Sequence, residues 1–251
     1  MTLDRGPGRI SELMRPNVLI RRLRSLRVPC CPPPGALFAC LAFLVLIPSL
    51  CCAGERTAAP SSPQLTYTKI LKGSTPEYER IVVNFDGAGT YDGRRLTDPP
   101  NPRPFQLSEG VTQRFFQLAD ELHDFQDVSL ESHKRVADLG LKTFKYVDGG
   151  HVYESQFNYS TDRRAGDLAD LFESLGAVER HVTALDYSMK YDHLGLPQEL
   201  TLIQVDLSNK SLLDPQLLTG TLESIVDNPS YMHLAQVRAR RILREIQKGR
   251  Y

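Results

Sequence analysis

His123, His133, His151, His181, His193 and His233 are the six histidines of the chain. They are the side chains best suited to moving protons near neutral pH. No two stand four apart, as the two ligands of an H-E-x-x-H zinc site must. His123-Asp124 and Asp192-His193 are adjacent pairs, but sequence neighbours point in different directions on a helix. Each histidine therefore reads as a surface or capping residue. Asp120, Glu121, Asp124 and Asp127 gather near the end of a predicted helix. Paired acids cleave glycosides only when they face each other across roughly 5–10 Å, so a solvated helix face is the simpler reading.

Other chemistry is narrowed by what the sequence lacks. The G-x-S-x-G nucleophile elbow, the P-loop, the Rossmann fingerprint and the EF-hand loop are absent. The stretch Asp86-Gly87-Ala88-Gly89-Thr90-Tyr91-Asp92-Gly93 spaces its Asp and Gly like a calcium loop without the terminal bidentate Glu. No catalytic residue, cofactor or metal ligand can be named. Asn158 and Asn209 open N-x-S sequons, which matter only in a eukaryotic secretory route. Near the C-terminus Arg241, Arg244 and Lys248 share one helical face, close to Arg238, Arg240 and Arg250. That pattern suits an acidic partner or anionic lipid, or a solvated face whose cations complement the helix C-terminus.

Charge and cysteine are both split along the chain. Of 30 basic and 30 acidic residues, residues 1–53 hold Arg5, Arg9, Arg15, Arg21, Arg22, Arg24 and Arg27 against Asp4 and Glu12. The rest therefore carries 23 basic and 28 acidic groups, a net of −5. An acidic body argues against nucleic acid as a partner, because such binding rests on clustered cations. Cys30, Cys31, Cys40, Cys51 and Cys52 all fall before residue 53. The body is thus disulfide-free and without thiol chemistry.

These splits have one explanation. Gly35 to Ile47 is an unbroken run of thirteen apolar or small residues, the length of a secretory h-region rather than of a spanning helix. A basic n-region over 14–34 precedes it. Pro48 breaks it, and Cys51-Cys52-Ala53 places small residues before a cut near Ala53. Residues 1–53 are accordingly expected to be a signal peptide, with Met14 an alternative start. A retained anchor over 35–53 and a lipoprotein acylated at Cys51 or Cys52 are the competing readings. The expected location is extracytoplasmic, periplasmic or secreted, with membrane contact only through an uncleaved segment.

Beyond a flexible spacer at 54–64, periodicity predicts an α+β fold. A sheet-rich part spans 65–160 and a helical part 161–251. Residues 65–72 form a strand, and 76–95 a hairpin turning at Asp86-Gly87-Ala88-Gly89, with Ile81, Val83 and Phe85 on one face. Pro99, Pro100, Pro102 and Pro104 make 97–105 an unpaired crossover. Ser108 is the predicted cap of a helix whose Val111, Phe115, Leu118, Leu122 and Phe125 line up at helical spacing. A second hairpin over 141–160 turns at Asp148-Gly149-Gly150, with Tyr153, Phe157 and Tyr159 on one face. A long helix follows from Asp162, with a stripe from Leu168 to Met189. Residues 199–207 fit strand or helix, helix being preferred after Pro197. A helical hairpin then ends the chain, broken at Asn228-Pro229, and the second apolar face includes Leu234, Val237, Ile242, Leu243 and Ile246.

The run from Pro76-Glu77-Tyr78 to Asp86-Gly87-Ala88-Gly89-Thr90-Tyr91 resembles the strand–turn–strand opening of exported bacterial domains of unknown function, with a P-x-Y strand and a D-G-x-G-x-Y turn. The resemblance covers at most 65–160. It implies an export route and an α+β fold and brings no activity, cofactor or site residue. The expected role is a non-catalytic binding or envelope-associated structural domain, with another envelope protein as partner. An extracytoplasmic hydrolase whose histidines and carboxylates meet only in three dimensions is the alternative.

Overall fold

Alternation builds the sheet. Leu65 and Tyr67, Ile81 and Val83, and Phe144 and Tyr146 recur every second residue, which puts each pair on one face of its strand. In the computed structural model, which describes residues 62–249, they share one face of a single six-stranded antiparallel sheet. The expectations for residues 1–53 and for most of the spacer lie outside these residues. The strands are β1 (Gln64–Ile70), β2 (Tyr78–Asn84), β3 (Ala88–Arg94), β4 (Arg103–Gln106), β5 (Leu141–Asp148) and β6 (His151–Phe157), in the order β4-β3-β2-β1-β5-β6.

The register lays the inner face out in rows. Phe105, Gly89, Val83, Leu65, Tyr146 and Tyr153 form one, and Arg103, Tyr91, Ile81, Tyr67, Phe144 and Ser155 the next. The third is Gly93, Glu79, Lys69, Lys142 and Phe157. The first two rows are largely apolar; the third is charged.

Three expectations for this region need correction. Residues 103–106 of the proline-rich crossover pair with β3, so the segment ends as an edge strand. An edge strand tolerates Pro104 because only one side must supply ladder bonds. Phe85 lies beyond the end of β2 and is 60% exposed, packed edge-on against Phe116. Tyr159 likewise lies beyond β6 and is exposed.

Two helices cover the inner face. Helix α1 (Glu109–Glu121) buries Phe115 and Leu118. Ser108 occupies the cap position, but its side chain makes no capping bond. Its own N–H donates instead to the buried Asp214 carboxylate at 2.7 Å. The predicted stripe does not stay helical to Phe125. His123, Asp124 and Phe125 take left-handed backbone angles in a tight 3-10 turn. Each costs about 1–2 kcal/mol in a non-glycine residue. The turn delivers Phe125 into the core, stacked 5.2 Å from Phe144.

Helix α2 (Arg163–Tyr191) starts at Asp162, whose carboxylate accepts the Arg164 N–H. Its 29 residues run for about 43 Å at 1.5 Å each. Ala165, Leu168, Phe172 and Leu175 close the core over the sheet. Val178, Val182 and Leu185 enter a second core with α3 (Leu196–Ser208), α4 (Thr219–Asp227) and α5 (His233–Gln247). Helix was the right reading of 199–207, and the Pro197 start suits the first turn. In α5 the buried face is Ala235, Ala239, Ile242 and Ile246, whereas Leu234 and Val237, expected inside, are exposed. The small alanines let α5 approach its neighbours closely, and that rotates the larger side chains outward. No helix among the described residues is long and apolar enough to cross a membrane.

Candidate functional site

The charged row is the feature of the sheet that packing alone does not explain. Glu79, Lys69 and Lys142 sit on three adjacent strands, in phase with the apolar residues of each. They face α2 where that helix carries Glu173, Gly176 and Arg180. Charge in a closed interface persists only when paired and hydrogen-bonded.

Glu79 meets that condition. Its Oε1 accepts from Tyr91 Oη at 3.1 Å and from Arg180 Nη1 at 2.7 Å. Burial raises the Glu79 carboxyl above the ordinary range, against the pull of Arg180 and Tyr91. The same burial, reinforced by the Glu79 charge, pushes the Tyr91 phenol up. Two glycines make the room. A Cβ on Gly176 would fall inside contact distance of Glu79 Oε1, and one on Gly93 inside that of the Tyr91 hydroxyl.

Next along the row, Lys69 Nζ donates to Glu173 Oε1 at 2.9 Å, and Tyr67 Oη donates to the same atom at 3.2 Å. Lys142 is placed differently. It is 9% exposed; among the described residues its Nζ donates only to the Asn158 carbonyl, at 3.3 Å, and lies 6.0 Å from the centre of the Phe157 ring. It has no ion pair within 4.0 Å among the described residues. Burial lowers its ammonium below the ordinary lysine value, and the neighbouring Lys69 charge adds to this, against Glu173 and Asp170. Lys69, Lys142, Asp170 and Glu173, with Leu139 and Phe157, line a cleft of about 310 Å³ between α2 and the end of β6. On the other side of Lys69 a smaller cleft of about 190 Å³ reaches Glu79 and Arg180.

Two further clusters brace α2. Arg103 on the edge strand donates to Glu179 Oε2 at 3.0 Å, to Asp186 Oδ2 at 2.8 Å and to Thr183 Oγ1 at 3.1 Å. Burial raises the Glu179 carboxyl, with Arg103 opposing. His181 lies between two carboxylates of α3: Nδ1 is 2.7 Å from Glu199 Oε1, and Nε2 is 2.9 Å from Asp206 Oδ2. Burial draws its pKa down, but the two hydrogen bonds and the two negative charges outweigh it and raise the imidazole above its ordinary value. The carboxylates hold opposite edges of the ring, so this trio is a staple between helices.

The remaining histidines scatter. His123, His133, His151, His193 and His233 are all exposed and do not meet one another. His193 donates to the Met189 carbonyl at 2.7 Å, and His151 stacks loosely on Tyr153. Asp124 is raised by partial burial and by Asp120 and Asp148 nearby. Among the described residues no group of three His, Cys, Asp or Glu is arranged to hold a metal. Asn158 is tied down, its Oδ1 accepting from Leu139 N–H and its Nδ2 donating to the Ala137 carbonyl, whereas Asn209 is exposed. The cation cluster of α5 divides. Arg238 turns inward to the Pro197 carbonyl and Thr201 Oγ1. Arg240, Arg241, Arg244 and Lys248 face out with Leu234 and Val237.

Glu79, Lys69, Lys142 and Arg180 belong to no motif. The three strand residues carry a signal of parity, a charge in step with the apolar positions of each strand, and Arg180 on α2 carries none. Compared with known proteins, the chain matches no family model and no curated protein.

Proposed function

We propose that the chain is an exported domain of the cell envelope that acts by non-covalent binding, docking the outer face of α5 on an acidic patch of another envelope protein. Export is supported by the basic stretch, the short apolar run and the small residues ending at Ala53. Binding is supported by the α5 face. Arg240, Arg244 and Lys248 have no carboxylate within 4.0 Å among the described residues, while Arg241 shares Glu245. They stand out on a body whose net charge is −5.

A groove of about 500 Å³ runs along this face, lined by Val237, Arg240, Leu243, Arg244 and Gln247. Arginine is enriched at protein interfaces. A helix that lies in a bilayer needs a broad apolar face turned outward, and the broad apolar face of α5 is buried in the core. The hydrolase alternative draws no support from the histidines, since among the described residues the one bonded to carboxylates, His181, has both ring nitrogens engaged.

The test is chemical crosslinking in the native envelope with the wild-type chain and an R240E/R244E variant. One crosslinked partner, weakened by salt and lost in the variant, supports the reading. A partner that survives charge reversal, or equal sedimentation of the wild type with phosphatidylglycerol vesicles, overturns it. Intact mass on the same material tests export: a chain starting near Gly54 supports the cut, and one retaining residues 35–53 makes that segment an anchor.

A further inference from the structure

The cleft beside Lys142 is built unlike the rest of the interface. Along the seam with α2, each buried charge has an opposite charge bonded to it: Glu79 has Arg180, and Glu179 has Arg103. Lys142 is 9% exposed, against 5% for Glu79 and 2% for Glu179, and among the described residues it has only a long bond to a backbone carbonyl and the Phe157 ring 6.0 Å from its Nζ. An ammonium carries three donors, and among the described residues only one of them has a hydrogen-bond acceptor. The exposed Asp170, on the α2 side of the same cleft, makes no hydrogen bond or ion pair among the described residues. Lys69 and Glu173 cancel each other between them.

The cleft therefore presents one free cation and one free anion with no net formal charge. Its apolar walls are Leu139, Phe157 and Ala169, and Asn158, Tyr159 and Ser160 add polar groups at its edge. We propose that this cleft binds a small zwitterion of the α-amino-acid class, its carboxylate on Lys142, its ammonium on Asp170 and an apolar side chain against Leu139 and Phe157. A simple anion matches only half of the site and meets Asp170 as repulsion. A simple cation leaves Lys142 bare. The site is distinct from the α5 face and does not depend on how that face is used.

Calorimetric titration with L-leucine, isocaproate (the same skeleton without the amine) and isoamylamine (without the carboxylate) reads the whole ligand and each charged contact by itself. The expected result is saturable leucine binding, at least tenfold weaker binding of each truncated analogue, loss in K142M, and a clear weakening in D170N. The second readout needs no variant. After reductive methylation of lysines with labelled formaldehyde, leucine should raise the titration midpoint of the Lys142 resonance, because a bound carboxylate favours the charged amine. Isocaproate binding as tightly as leucine, leucine binding unchanged in D170N, or a Lys142 resonance indifferent to leucine each overturns the proposal. Unchanged binding on the α5 R240E/R244E variant is expected and separates this site from the docking face.

Discussion

Lys69 and Lys142 stand directly opposite each other on β1 and β5, two cations in register on the face that α2 covers. Like charges so placed destabilise a strand pair by up to about 1 kcal/mol. Glu173 neutralises Lys69, and among the described residues no carboxylate is bonded to Lys142. The sheet tolerates a cost at this point.

Replacing the uncommitted amine should therefore help the fold. K142M is expected to stabilise the protein by about 1 kcal/mol in urea denaturation, as apolar replacements of buried charge often do. In the wild type the folded lysine loses its proton below the ordinary 10.5. Between those two values the unfolded chain holds more protons, so stability should rise with pH through that window. K142M should flatten that slope.

Gly176 gives a sign reversal. Glycine to alanine inside a helix ordinarily gains about 0.4–1 kcal/mol. Gly166→Ala, on the open face of α2 with nothing within 4 Å, should show that gain. Gly176→Ala, against Glu79 Oε1, should instead cost about 1–3 kcal/mol by overpacking. Thermal or urea melts of the two variants make the comparison.

The Arg103 clamp should behave as a unit. R103M leaves the buried Glu179 carboxylate without its cation, at an expected cost of about 3–5 kcal/mol. R103M/E179M removes both charges and should recover most of that loss. Equal losses in the single and the double variant would show that the edge strand, rather than the ion pair, carries the stability.

His181 makes the junction of α2 with α3 sensitive to pH. Its folded pKa lies above the ordinary 6.5, so the proton is held more tightly in the native state. The stabilisation is complete below 6.5 and fades as pH rises through the folded value. H181Q should lose about 1.5–3 kcal/mol at pH 6, the worth of hydrogen bonds to charged groups. It should lose progressively less at alkaline pH.

Most of the scaffold was legible because its signals are local. Glycine-rich turns fixed both hairpins, and the Leu168-to-Met189 stripe fixed α2. Phe85 and Tyr159 fall just past their strand ends, and the other failures share one cause, a long-range contact overriding a local preference. Pairing with β3 made a strand of the proline-rich segment, and the aromatic core pulled Phe125 through left-handed angles. Close alanine packing turned Leu234 and Val237 outward. The charged row is a different case. In "LTYTK", "ERIVV" and "LKTFKY" a Lys or Glu shares parity with Leu, Tyr, Ile or Phe. Period two marks these residues as inward, but only the strand order places them side by side.

Helix α2 is a beam common to two rooms. Its first half roofs the aromatic core and its second half walls the helical one, while Leu217 touches both. Neither room can be vacated while the other stands. Heating should thus empty them in one step, and a protease should find no durable half to leave behind.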